Sequence, residues 1–149
     1  MANDDHIALP KKGVDAWNAW RHENYNIYPD LSGANLRWAH LKWAHLDGAN
    51  LSGANLEGAN LQTSTVVETD LTDADLTGCR IYGISTWDRK LDRAKQQNLM
   101  ITPENEPVIT VDNIEIAQFR LPSSPQPKDS RRYRHYHLQS GADPRSLHG

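Results

Sequence analysis

Long apolar runs are missing from this sequence, and none approaches the roughly 18 residues that a membrane-spanning helix requires. Cysteine is nearly missing too. Cys79 is the only one, so no internal disulfide forms and a reducing, cytoplasmic setting is the expectation. Phenylalanine occurs once, at Phe119, and aromatic residues make up 7% of the 149 residues, which leaves little material for a large aromatic core. Neither sign of charge dominates. Sixteen bases against nineteen acids give a net charge of −3, which argues against both a strongly basic nucleic-acid binder and a wholly acidic disordered chain. The start, Met-Ala-Asn-Asp-Asp-His, has no basic opening and no apolar stretch, so no secretory leader is expected.

What the sequence does contain is a period. Leucine recurs every five residues at Leu31, Leu36, Leu41, Leu46, Leu51, Leu56 and Leu61, and Val66, Leu71, Leu76 and Ile81 continue the series until it fades at Thr86. Two residues before each stands something small: Ala34, Ala39, Ala44, Ala49, Ala54, Ala59, Ser64, Thr69, Ala74 and Cys79. The residue just before the leucine is Asn, Asp or His over most of the run. A five-residue period fits neither an α-helix nor a β-strand. It fits a coil that turns a corner every five residues, with the leucines and small residues facing inward. Gly33, Gly48, Gly53, Gly58, Gly78 and Gly83 fall where such corners need a positive φ.

The segments Ser-Gly-Ala-Asn-Leu, Glu-Gly-Ala-Asn-Leu and Thr-Asp-Ala-Asp-Leu resemble the pentapeptide-repeat proteins, whose pattern is Ala-(Asp/Asn)-Leu followed by two variable residues. The resemblance implies an all-β solenoid: a right-handed quadrilateral β-helix in which each pentapeptide makes one side. Four pentapeptides per coil then give about three coils over residues 29–90. The inward stacks become Leu31/Leu51/Leu71, Leu36/Leu56/Leu76, Leu41/Leu61/Ile81 and Leu46/Val66/Thr86. The open ends of a solenoid expose core and unpaired backbone, so caps are expected.

Residues 1–28 supply one cap. Gly13-Val-Asp-Ala-Trp-Asn-Ala-Trp-Arg-His-Glu reads as a short helix lying on the first coil with Val14, Trp17 and Trp20 inward. Past the repeat, Trp87 and Leu91 are expected to cover the last coil. Residues 91–119 read as a connecting α/β stub. Two short strands, Asn98–Thr102 and Pro107–Val111, precede a helix with Asp112 as N-cap and Glu115 three residues later.

No constellation for catalysis, cofactor or metal emerges. His40 and His45 project from neighbouring sides of the first coil, and no thiolate or carboxylate is placed to complete a metal site. Glu68, Asp70, Asp73 and Asp75 form an acidic run facing solvent, without the pocket that acid–base work needs. Arg37 and Glu57 fall on equivalent sites of successive coils and are expected to pair. Cys79 sits at an inward small position, where it packs like alanine rather than acting as a nucleophile. Trp38 and Trp43 occupy corners that later coils mostly fill with glycine. They make a partner patch together with His40 and His45, unless the Trp17 helix or a terminal segment folds over them.

The expected function is therefore a non-catalytic, protein-binding scaffold of a bacterial cytoplasmic protein, not an enzyme. Nucleic acid and membrane are not the expected partners. The alternative is DNA mimicry directed at DNA gyrase, as in some pentapeptide-repeat proteins, but that role calls for a long, strongly acidic rod. The sequence leaves the oligomeric state open.

After Phe119 the composition turns to Pro, Ser, Arg and His, with two acids against five bases in residues 121–149. Residues 120–149 are expected to be disordered. They are also read as a frameshifted continuation. Permitted codons for Leu121–Gly149, read one base later, encode an apolar strand, Ala-Val-Leu-Ile-Leu-Gly. The resulting order resembles bacterial proteins in which a pentapeptide repeat and the segment Ile109–Phe119 precede a TIR-like or nucleotide-binding domain.

Overall fold

A computed structural model describes residues 3–118, which fall in one compact unit. The expectations for residues 120–149 lie outside the described residues. Within the unit, parallel bridges join residues twenty apart: Asp30 to Asn50, Asn35 to Asn55, His40 to Asn60 and His45 to Thr65, then onward from each partner. Twenty residues per coil at five residues per side make a four-sided solenoid. Each side is a single bridge, so the coils contain no extended strands. The pairing runs both ways: Leu31 N–H donates to Asn50 O at 2.7 Å, and Asn50 N–H donates to Pro29 O at 2.8 Å.

The corner chemistry explains the sequence pattern. The N–H of each small residue donates back to the preceding central carbonyl, as in Ala34 to Leu31 at 3.1 Å. Of the two residues between them, only the second has positive φ, as in a type II turn. The Asn or Asp before the leucine steadies that turn through its own oxygen: Asp30 Oδ1 accepts from Ser32 N–H, and Asn50 Oδ1 from Ser52 N–H. The hydrogen bonds from Ser32 and Thr72 also hold the Asp30 and Asp70 carboxyls below their usual range.

The four inward stacks are buried as the period requires, from Leu31 and Leu51 to Val66 and Thr86, with none more than 2% exposed. Small residues fill the spaces between them, and Ser64 and Thr69 settle their hydroxyls on the carbonyls of Leu61 and Leu46. The solenoid does not end at residue 90. Bridges continue from Asp70 to Lys90, Asp75 to Lys95 and Arg80 to Met100, and Leu91, Gln96 and Ile101 keep the five-residue step. The glutamine at an inward position hid this last stretch from the leucine count.

Two helices precede the coils. α1 (Asp4–Lys12) is capped by Asn3, whose side chain accepts from the N–H of Asp5 and His6. α2 (Val14–Glu23) carries Trp17, fully buried, and Val14 and Trp20, partly buried against the core. Trp17 Nε1–H donates to His45 O at 2.8 Å, and the Arg21 guanidinium donates to Ile27 O and Asp47 O. After the coils come β1 (Leu99–Met100) and β2 (Thr110–Val111), antiparallel with Leu99 opposite Val111.

α3 (Ile114–Gln118) follows, and its N-cap is Asn113 rather than Asp112. Asn113 Oδ1 accepts from Glu115 N–H, while Asp112 Oδ1 accepts from Asn98 N–H and ties the segment to the last corner. Glu115, expected to close a capping box, instead pairs with Arg89 at 2.7 Å. Gln96 Oε1 accepts from Ile114 N–H, which puts the buried Ile114 on the end of the coils. Trp87 does not cover this end. It is 63% exposed, because the residue just after a central position faces outward. Among the described residues no helix is long and apolar enough to cross a membrane.

Positive φ is obligatory at every corner, and the residue type there sets the strain. Glu68 holds φ +54°, a region that costs an L-residue roughly 1–2 kcal/mol. Glu68→Gly is expected to raise stability by about 0.5–1 kcal/mol after the entropy cost of glycine. A lowered melting temperature would contradict this account of the corners.

Candidate interaction surface

The second corner residue is where this chain departs most from its own pattern. Glycine takes it at positions 33, 48, 53, 58, 78 and 83 and a non-aromatic residue at Thr63, Glu68, Asp73, Asp88, Arg93 and Asn98, whereas the first coil places aromatic rings there, Trp38 at φ +59° and Trp43 at φ +71°. A bulky side chain in this region is strained, and such strain collects where a protein does something other than fold. Both tryptophans are open, at 63% and 59% exposure. Neither the Trp17 helix nor any other described segment folds over them. α2 reaches only the backbone at this corner, through Asn18, which donates to Trp43 O at 3.0 Å and accepts from His45 N–H at 2.9 Å.

The register explains why the rings fit. Residue 58 lies below residue 38, and a Cβ on Gly58 would come within 2.1 Å of the Trp38 ring. Tyr28 lies against Gly48 in the same way. Gly48 and Gly58 are thus seats for the aromatic rings that stand twenty residues before them.

Charge divides by side. Asp30 and Asp70 share one side, Glu57 and Asp75 the next, and Asp47 lies on the side of His45. Asp73, Glu68 and Asp88 stand at corners between those sides. The remaining side, rows 39–42, 59–62 and 79–82, contains no carboxylate. It presents His40, Lys42, Asn60, Arg80 and Tyr82, with Trp38 and Trp43 at its upper corners. Gln62 at its centre is 3% exposed, and its Oε1 has no hydrogen-bond partner among the described residues.

The arginines on the other sides are paired. Arg37 meets Glu57 at 3.1 Å as expected, and Arg93 meets Asp73 at 2.7 Å, which holds that carboxyl below its usual range. Lys90 and Lys95 lie close enough to Asp70 and Asp75 to act on them. Lys42 and Arg80 form no ion pair among the described residues.

His40 and His45 are exposed on either side of the Trp43 corner, and no three metal-ligating side chains converge among the described residues. Cys79 is fully buried, its Sγ–H donating to Leu56 O at 3.0 Å, and burial pushes its thiol up to about 12. Little thiolate exists at neutral pH. Native protein should therefore resist a thiol-specific disulfide reagent and react fully only once unfolded. Rapid modification without denaturant would contradict this packing.

Sides of five residues, coils of twenty and corners of positive φ define a four-sided β-solenoid built from pentapeptides. The family model for pentapeptide repeats matches residues 30–66 and 54–84, in eight copies. Through this segment the chain belongs to the pentapeptide-repeat family. Similar solved structures include a pentapeptide repeat protein from the thylakoid lumen of Arabidopsis thaliana, 24% identical over 50% of this chain and 52% of that one, with a TM-score of 0.31. Another is HetL, a pentapeptide repeat protein involved in heterocyst differentiation regulation from the cyanobacterium Nostoc, 16% identical over 54% of this chain and 64% of that one, TM-score 0.24. A further Nostoc pentapeptide repeat protein is 30% identical over 60% of this chain and 87% of its own, TM-score 0.21. The chain thus spans less than two thirds of the first two. No curated protein matches it.

Proposed function

We propose that this chain is a non-catalytic interaction module, a right-handed quadrilateral β-helix of about three coils that presents Trp38, Trp43, His40 and His45 to a protein partner in the bacterial cytoplasm. The observation that carries this reading is the pair of exposed tryptophans held at positive φ, where glycine would fit without strain. Among the described residues the solenoid interior is filled by leucine and alanine. The shift to Pro, Ser and Arg after Phe119 supports a further element of the proposal, that the module belongs to a longer protein whose frame is broken near residue 120. Sequencing the locus tests that element. A restored frame that encodes no further domain would refute it.

The interaction reading is tested with Trp38→Gly/Trp43→Gly, which keeps the corners in a conformation glycine prefers. The variant should keep its circular dichroism and lose the partners that the parent chain crosslinks in extract of its host. Identical crosslinks from both proteins would overturn the reading. In a supercoiling assay with DNA gyrase the parent chain should have no effect. Inhibition or protection there would favour the DNA-mimic alternative.

A further inference from the structure

Resting on the interaction reading above, we propose that the side formed by rows 39–42, 59–62 and 79–82 is a docking face for an extended acidic protein segment. Three independent features of this side match that occupant. Lys42 and Arg80 are basic side chains with no ion pair among the described residues, whereas Arg37, Arg89 and Arg93 elsewhere on the solenoid are each paired with a carboxylate. Gln62, buried between these rows, holds an amide oxygen without a hydrogen-bond partner among the described residues, an acceptor suited to a backbone N–H. Trp38 and Trp43 bound the upper edge and offer two rings to apolar side chains.

Charge complementarity sets the sign of the partner and limits its size. The side itself has no carboxylate, yet the three others and their corners carry many. At its far end the chain continues into a loop bearing Glu104 and Glu106. A short acidic strand fits inside this frame. A long polyanion such as nucleic acid would overhang onto like charge on the two flanking sides and at the far end, so the occupant is a peptide segment and not a phosphate chain.

The test is fluorescence anisotropy with the full chain and three labelled probes of equal length. One is a peptide of repeated Glu-Leu-Asp-Ile units, one carries Lys in place of each acid, and one is an oligothymidylate. The acidic peptide should bind, more weakly as salt rises, and the other two should not. Lys42→Glu/Arg80→Glu should weaken it about tenfold or more, while Lys90→Glu/Lys95→Glu, on other sides, should leave it unchanged. Circular dichroism of both variants should match the parent. Gln62→Leu, which removes the acceptor and keeps the bulk, should weaken binding severalfold.

No binding of the acidic peptide, equal binding of the basic one, tighter binding of oligothymidylate, or indifference to the Lys42/Arg80 reversal would each overturn the proposal. If the peptide fails while Trp38→Gly/Trp43→Gly still abolishes crosslinking, the interaction module stands and only the acidic occupant falls. If that tryptophan variant crosslinks normally, the interaction reading itself has failed.

Discussion

Leu56→Arg is expected to abolish the cooperative unfolding transition, costing more than about 4 kcal/mol. Leu56 is fully buried in the middle of the Leu36/Leu56/Leu76 stack, with Ala54 and Ala59 beside it in the interior. The interior backbone is already engaged: Leu56 O accepts from both Ala59 N–H and the Cys79 thiol. A guanidinium placed there finds no acceptor and no counter-charge, and the tight register leaves no path outward. The adjacent substitution makes the contrast. Glu57→Arg faces solvent and exchanges an exposed pair with Arg37 for an exposed like-charge contact, a change of about 1 kcal/mol. Circular dichroism and thermal melting of the two variants check this. A Leu56→Arg protein that melts like the parent would contradict the core.

Trp17→Ala should cost about 3–5 kcal/mol, the largest effect expected outside the coils. The indole is completely buried against the first coil and donates to His45 O at 2.8 Å. Truncation removes that cover, uncovers the upper end of the stacks and leaves the His45 carbonyl without its donor. Trp17→Phe should recover most of the loss but not the hydrogen bond, leaving about 1 kcal/mol. Chemical denaturation of both variants reads the difference. A cost below about 1 kcal/mol for Trp17→Ala would mean that α2 is not a lid.

The five-residue period made the coils legible because every side must meet the same demand: one large and one small inward residue, then a corner. It lost force where a residue met that demand with different chemistry. Gln96 occupies an inward position and uses its amide to receive Ile114 N–H, so the coils run to Met100 without a leucine to mark them. α1 is hidden in the sequence although Asn3 and the Lys11-Lys12 pair mark its ends, because Pro10 interrupts its apolar pattern. Asp112 looked like a cap by spacing, yet Asn98 N–H claims its carboxylate and Asn113 takes the role.

The tryptophan corners were legible as exceptions to glycine. Their exposure was not, since it depends on where α2 settles. The carboxylate-free side was written in the sequence all along. It becomes visible only when residues twenty apart are read as neighbours.

That twenty-residue register is the claim on which the core, the corners and the docking face all stand. Cysteines introduced in a Cys79→Ala background test it directly. His40→Cys/Asn60→Cys joins two residues paired across adjacent coils, so oxidation should close a disulfide quickly and raise the melting temperature. His40→Cys/Asn55→Cys places the thiols on different sides and should stay reduced under the same conditions. Cross-linking of the 40/55 pair in preference to the 40/60 pair would contradict the four-sided coil.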